Sequence, residues 1–286
     1  MILDGIGQGI RKWCSPLLVV LGSVLAHPVA GSAEAVPETD IWLKVRASFF
    51  GTRPIRDDTD NVIRLEAPYR AQDAATVPIA IRTQIPQTGD RYVRTVYLIV
   101  DRNPSPIAAI FQFTPDSGRA EIETRIRIEE YTPVRAIAEM NDGELYSSAR
   151  FVKAAGGCSA PAGKDPDAAL ARLGRMKFHL DQSVTLGEPN LAQLMISHPN
   201  HSGLAMDQFT RHYVPAYFVR TINVTYAGKP VLSAEVDFSI SENPNFRFYF
   251  VPRAAGELKA EVVDTKDLKF EYLLAVRPGL STKAAE

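Results

Sequence analysis

The sequence predicts an all-β protein of two antiparallel β-sandwich domains joined by a flexible segment rich in Gly, Ala and Pro. Three observations carry this. Apolar and polar residues alternate with period two in stretches on both sides of the chain's midpoint, the pattern of half-buried strands. Turn-forming clusters interrupt those stretches about every ten residues, and no long helical pattern lies between them, which argues against a parallel α/β sheet. Residues 154–167 then read Ala-Ala-Gly-Gly-Cys-Ser-Ala-Pro-Ala-Gly-Lys-Asp-Pro-Asp, almost without apolar bulk, as a linker or exposed loop does.

In chain order, the first 35 residues stand apart. Arg11 and Lys12 precede an apolar stretch, 17–26, broken only by Gly22 and Ser23, and Gly31, Ala33 and Ala35 follow. A positive flank, a short apolar centre and a small-residue exit make a secretory signal peptide, with cleavage after Ala33 or Ala35 equally compatible. The apolar stretch is too short to span a bilayer, which takes about 20 residues of helix.

Residues 36–153 form the first expected domain. Asp40 is placed to cap a helix over 41–50, with Trp42, Val45 and Phe49 on one side and Gly51 as its stop. Strands are expected near 62–66, 77–84, 92–100, 108–113, 120–128, 134–140 and 145–153. Gln87-Thr88-Gly89-Asp90, Asn103-Pro104-Ser105-Pro106, Pro115-Asp116-Ser117-Gly118 and Asn141-Asp142-Gly143 separate several of them. In 120–128, Ile122, Thr124, Ile126 and Ile128 share one face, and Glu121, Glu123, Arg125 and Arg127 share the other, read as a solvated outer face. A loop and linker over 154–172 leads to the second domain, 173–286. There Leu232, Ala234, Val236, Phe238 and Ile240 alternate with Ser233, Glu235, Asp237 and Ser239. Phe246, Phe248 and Phe250 make another inward row, and Ala227-Gly228 reads as a hairpin turn.

Composition narrows the function. With 32 Lys and Arg against 33 Asp and Glu among 286 residues, the chain is not a basic nucleic-acid binder, and 45% hydrophobic residues exclude a disordered one. Two cysteines rule out a disulfide scaffold. Cys14 lies in the signal segment, so the 251 residues that remain after 1–35 hold one cysteine, Cys158. An unpaired cysteine in an exported protein points to intermolecular pairing, as in a disulfide-linked dimer, or to a thiol kept free for chemistry.

Its setting favours the second. Gly156 and Gly157 precede Cys158 and supply backbone freedom and access. Fully extended, 154–158 reaches at most about 16 Å at roughly 3.3 Å per residue, enough to carry the thiol into another protein. Arg150, Lys153 and Lys164 would favour thiolate modestly. A cysteine on a mobile tether is a poor active-site nucleophile, because catalysis needs fixed geometry. A carrier that presents one adduct to several enzymes needs such a tether.

The residues also carry a resemblance. Trp42 in its helix, Val77-Pro78-Ile79 and Gly156-Gly157-Cys158 resemble SoxY. His198-Pro199 with Gly203, Val214-Pro215-Ala216-Tyr217-Phe218, and Asn243-Pro244 before Phe246-Arg247-Phe248 resemble SoxZ. The chain therefore resembles the fused SoxYZ sulfur-carrier family, in the form described as quinoprotein dehydrogenase-associated. The resemblance implies two Ig-like β-sandwiches in the bacterial periplasm, with Cys158 as covalent attachment site for sulfur intermediates and Gly156 and Gly157 serving mobility and access. It implies no catalytic residue, metal or separate cofactor, only the sulfur held on the cysteine. The implied partners are periplasmic sulfur-oxidation enzymes, namely cytochromes and a sulfate-releasing hydrolase, and a quinoprotein dehydrogenase. Nucleic acid and stable membrane insertion are not among them. One departure is that Ser159-Ala160-Pro161 follows the cysteine where the separate SoxY subunit ends soon after it, so the thiol is tethered on both sides.

The remaining motifs are weaker. His198, His201 and His212 invite a metal reading, but further ligands are not evident, and His198-Pro199 reads as a turn or interdomain contact. Asp57-Asp58-Thr59-Asp60 lacks the spaced ligands and closing glutamate of a calcium loop. Asn223-Val224-Thr225 matches a glycosylation acceptor but lies in an expected strand. No Cys-x-x-Cys, haem motif, nucleotide fingerprint or nucleophile elbow supports an enzyme. A non-catalytic Ig-like accessory module for a periplasmic quinoprotein dehydrogenase is the alternative to the carrier.

Overall fold

The computed structural model describes residues 36–57, 61–161, 166–180, 183–208 and 210–277. The expected signal segment, with Cys14 and both cleavage positions, lies outside them, as do Lys164 and Asp58 to Asp60.

The first half runs α1 (Asp40–Phe50), β1 (Ile55–Asp57), β2 (Ile63–Glu66), β3 (Val77–Thr83), β4 (Val93–Val100), β5 (Ile107–Phe113), β6 (Ile122–Ile126), β7 (Thr132–Met140) and β8 (Leu145–Val152). After a short α2 (Pro166–Ala171), the second half runs β9 (Met176–Leu180), β10 (Asn190–Ile196), β11 (Val219–Tyr226), β12 (Lys229–Val236), β13 (Asn245–Phe250), β14 (Gly256–Asp264) and β15 (Lys269–Val276). This is the expected all-β, Ig-like sandwich architecture.

The join between the halves differs from the expected loop. One sheet has the order β1-β8-β7-β4-β5-β12-β11-β14-β15 and the other β2-β3-β6-β13-β10-β9. Both therefore pass from one half to the other through hydrogen-bonded strands. In the first, β5 pairs β12, with Phe111 opposite Ala234; in the second, β6 pairs β13, with Ile122 opposite Phe248. The described residues form one unit, and the buried apolar core runs through both halves, with the Phe111 and Phe246 rings 6.2 Å apart across the join. The sequence shows strands but not which strands pair, and edge strands left open by each half are covered here by each other.

Local chemistry explains several elements. Thr39, not Asp40, caps α1, its hydroxyl accepting from the Trp42 N–H at 3.0 Å, and Gly51 ends the helix at φ 58°. The buried side of α1 is Trp42, Val45 and Phe50, whereas Phe49 is 46% exposed. Ala227 and Gly228 both have positive φ, 48° and 77°, as a type I′ hairpin turn requires. Phe246, Phe248 and Phe250 point into the core as expected.

The charged face of β6 is a correction. Glu121 is buried, and Arg82 of β3 donates to Glu123 at 2.6 Å and to Glu121 at 3.2 Å. Arg247 of β13 stands 3.5 Å from Glu123. These residues pair across neighbouring strands instead of facing water singly.

Candidate functional site

Beyond β6 the chain continues through Arg127, Ile128 and Glu129, and these residues build the site. The Arg127 N–H donates to the Ser239 carbonyl at 2.7 Å, and its guanidinium donates to the carbonyls of Phe238 at 2.8 Å and Ile240 at 2.7 Å. Asn103 fixes the segment from the other side. Its amide donates to the Arg127 carbonyl, and its oxygen accepts from the Glu129 N–H. A first-half segment is thereby held against the loop that follows β12.

The cysteine turn docks onto this segment. Gly156 and Gly157 donate to the carbonyls of Glu129 and Ile128 at 2.8 and 2.9 Å. The Glu129 carboxylate accepts from the Cys158 N–H at 2.8 Å, the Ser159 N–H at 3.1 Å and the Ser159 hydroxyl at 2.8 Å. From the second half, the Ser202 hydroxyl donates to the Cys158 carbonyl. Cys158 itself is 1% exposed.

In this structure the thiol is therefore covered, where the composition of its loop leads one to expect it exposed. The two glycines fit the turn against the protein. A β-carbon at Gly157 would lie 2.0 Å from the Ala74 carbonyl oxygen and 2.8 Å from the Ile128 nitrogen. Gly156 adopts φ 80°, a conformation that strains other residues. Composition alone reads these glycines as freedom, whereas here they permit close approach.

Electrostatics follow from the docking. Burial first, then the charges of Glu129 and Asp237, push the Cys158 thiol from 9.0 up to about 12, with Arg127 opposing them. The raised value means the docked turn favours the neutral thiol. That preference is complete below about pH 9 and fades as pH rises toward 12. Arg150 and Lys153, expected to activate the thiol, are not among the groups that shift it; the Lys153 ammonium lies over the Tyr69 ring at 4.7 Å.

A buried network in the second half holds the residues just before Ser202, whose own hydroxyl also accepts from the Leu204 N–H. The Asn200 N–H donates to His198 Nδ1 at 3.1 Å, so Nε2 of the neutral ring carries the proton and faces Asp264 at 3.6 Å. Asp264 also accepts from the Tyr217 hydroxyl at 2.8 Å. Burial lowers the His198 pKa to about 4 despite the neighbouring carboxylate. Asn200 further donates to the Ile240 carbonyl and accepts from the Val219 N–H. His198 thus shapes the 198–202 turn, and His212 lies exposed. Among the described residues, no group of three or more His, Cys, Asp or Glu is placed to hold a metal ion. Asn223 to Thr225 lie in β11.

Glu129, Arg127, Asp237 and Ser202 are functional candidates that the sequence did not reveal. Their separation along the chain hides the contact, and Glu129 falls just past the expected 120–128 strand with no motif to mark it. Separately, β3, β6 and β13 border a groove of about 510 Å³ lined in part by Arg82, Glu123, Arg125 and Arg247.

Comparison with known proteins matches this layout. The family model "Sulfur oxidation protein SoxY" matches residues 46–158, and "Sulphur oxidation protein SoxZ" matches residues 177–274. The first match ends on Cys158. No curated protein matches. Among solved structures, the sulfur carrier protein SoxY from Chlorobium limicola f thiosulfatophilum is 28% identical, over 39% of this chain and 89% of its own, with a TM-score of 0.33. The superoxide reductase (neelaredoxin) from Ignicoccus hospitalis is 13% identical, over 35% of this chain and 94% of its own, with a TM-score of 0.30. Likenesses of that TM-score establish nothing further about this chain.

Proposed function

The chain belongs to the SoxYZ family, with its SoxY and SoxZ domains fused in one polypeptide, and on that premise we propose that it is a periplasmic carrier that holds sulfur intermediates covalently on Cys158. The observation that carries the reading is the placement of Cys158. It ends the SoxY match, sits in a turn attached largely through backbone and Glu129 contacts, and is gripped by Ser202 of the SoxZ domain.

On this reading the arm has two states. Docked, the thiol is covered and protonated, which keeps it from reacting. Undocked, it returns toward an ordinary thiol pKa near 8.5, with a few per cent thiolate at neutral pH. Loading and unloading take place in the undocked state, on enzymes that supply the chemistry. The carrier supplies attachment, protection and presentation and is itself no catalyst. Its partners are sulfur-oxidation enzymes, cytochromes and a sulfate-releasing hydrolase, with a quinoprotein dehydrogenase as a further associate. Residues 1–35 serve as its export signal.

Burial of Cys158 also favours a second reading, an Ig-like accessory module in which the cysteine only packs. Cys158→Ser separates the two when introduced in the producing organism. The carrier loses all sulfur transfer while the folded variant keeps partner binding. Sulfur transfer at the wild-type level would leave only the accessory module.

A further inference from the structure

The contacts that fix the cysteine turn converge on one side chain. Glu129 receives the amide hydrogens of Cys158 and Ser159 and the Ser159 hydroxyl, and its own carbonyl receives the Gly156 N–H. Hydrogen bonds to a carboxylate are the stronger kind, so this residue dominates the docking. The same carboxylate contributes negative charge close to the sulfur, as does Asp237, against the single positive charge of Arg127. Arg127 in turn feels Glu242 and is committed to the Phe238 and Ile240 carbonyls. The sulfur thus sits beside the Glu129 carboxylate that holds its own backbone N–H and, with Cys158 1% exposed, is fully covered.

We infer that Glu129 is a positioning residue that discriminates between forms of the arm, holding the turn docked while Cys158 is an uncharged thiol and releasing it once the sulfur bears an anionic group. The inference rests on the carrier reading. Two physical effects produce the discrimination. A group added to Sγ must displace the protein that covers it, and a terminal sulfonate brings a negative charge toward Glu129 and Asp237 with one guanidinium to offset them. The empty carrier is therefore hidden from chance oxidants, and the loaded carrier presents its cargo without a separate opening signal.

The full chain can be loaded chemically with tetrathionate. The Cys158 thiolate attacks an inner sulfur of tetrathionate, a sulfur–sulfur bond forms at Sγ, the central bond of tetrathionate breaks, and thiosulfate leaves. The product carries –S–SO3⁻ on Sγ, and a reducing dithiol removes it. Hydrogen exchange of the amides at 156–159 then reads docking directly. These amides are expected to exchange slowly in the empty chain, at least tenfold faster after loading, and slowly again after reduction.

Glu129→Gln keeps the shape and removes the charge. Its empty turn should exchange faster than wild type, and the ratio between loaded and empty forms should shrink several-fold, which a merely structural role would not produce. Ser159→Ala, which removes only the hydroxyl contact, serves if the glutamine variant fails to fold, and should speed exchange of the empty turn alone. Equal protection of 156–159 in loaded and empty wild-type chains would overturn the inference. So would a Glu129→Gln variant with the wild-type ratio. Because loading here is chemical, either result is independent of whether the cell uses Cys158 as a carrier.

Discussion

Gly157→Ala is expected to open the cysteine turn and make Cys158 react about 10- to 100-fold faster with iodoacetamide near neutral pH. The added β-carbon meets the Ala74 carbonyl oxygen at 2.0 Å and the Ala74 carbonyl carbon at 2.6 Å. These are backbone atoms fixed by the Ile128 N–H, which donates to the Ala74 carbonyl at 2.9 Å, so they cannot swing aside as a flexible side chain would. Overpacking of this kind costs about 1–3 kcal/mol, and each 1.4 kcal/mol shifts an equilibrium tenfold. The cost falls on the docked state alone, because the undocked turn has no neighbour to strike. Gly156→Ala meets no atom closer than 3.9 Å and suffers only from its φ of 80°, so its effect should be smaller. Timed alkylation followed by peptide mass mapping checks both. If the glycines served only mobility, alanine at 157 would leave the rate unchanged or lower it.

Asp101→Ala should cause the largest loss of stability. Arg135 donates through Nε and Nη2 to both Asp101 oxygens at 3.0–3.1 Å, and the two side chains are 9% and 0% exposed. The pair also anchors the start of the domain. Thr39 donates to Asp101, Arg135 donates to the Pro37 carbonyl, and its guanidinium lies 4.8 Å from the Trp42 ring centroid. Removing one partner of a buried pair leaves an uncompensated charge and costs about 3–5 kcal/mol. For a unit of this size that lowers Tm by about 6–20 °C, at roughly 2–4 °C per kcal/mol. Adding Arg135→Met should restore part of the loss, since desolvation is then relieved on both sides. Thermal unfolding of the single and double variants decides it, and a single variant as stable as wild type would show that the pair contributes nothing.

Much of the sandwich was legible because strands with one buried face write their pattern at period two. The rows through Ile122 and Ile126, through Leu232 and Ala234, and through the three phenylalanines of β13 all bury as the alternation indicates. The short β1 escaped notice because its residues Ile55, Arg56 and Asp57 are only partly covered or exposed and give almost no period. The continuity of both sheets was invisible for a different reason. Pairing of β5 with β12 and of β6 with β13 depends on residues more than a hundred positions apart, and alternation says nothing of partners. At the site, small residues around Cys158 suggested a loose loop. Yet a chain with few side chains can also lie closest to another backbone, and the contact with Ala74, Ile128 and Glu129 uses that property. Thr39 rather than Asp40 as the cap of α1 is the same lesson at smaller scale, since both residues suit the position and only Thr39 also meets the distant Asp101 carboxylate.

The most direct test of the carrier assignment is the intact mass of the processed chain purified from its own organism, measured before and after reduction. The account predicts additions of sulfur-containing groups that map to the Cys158 peptide and disappear with reductant. A bare mass that stays bare after the cells are exposed to sulfur donors would contradict it.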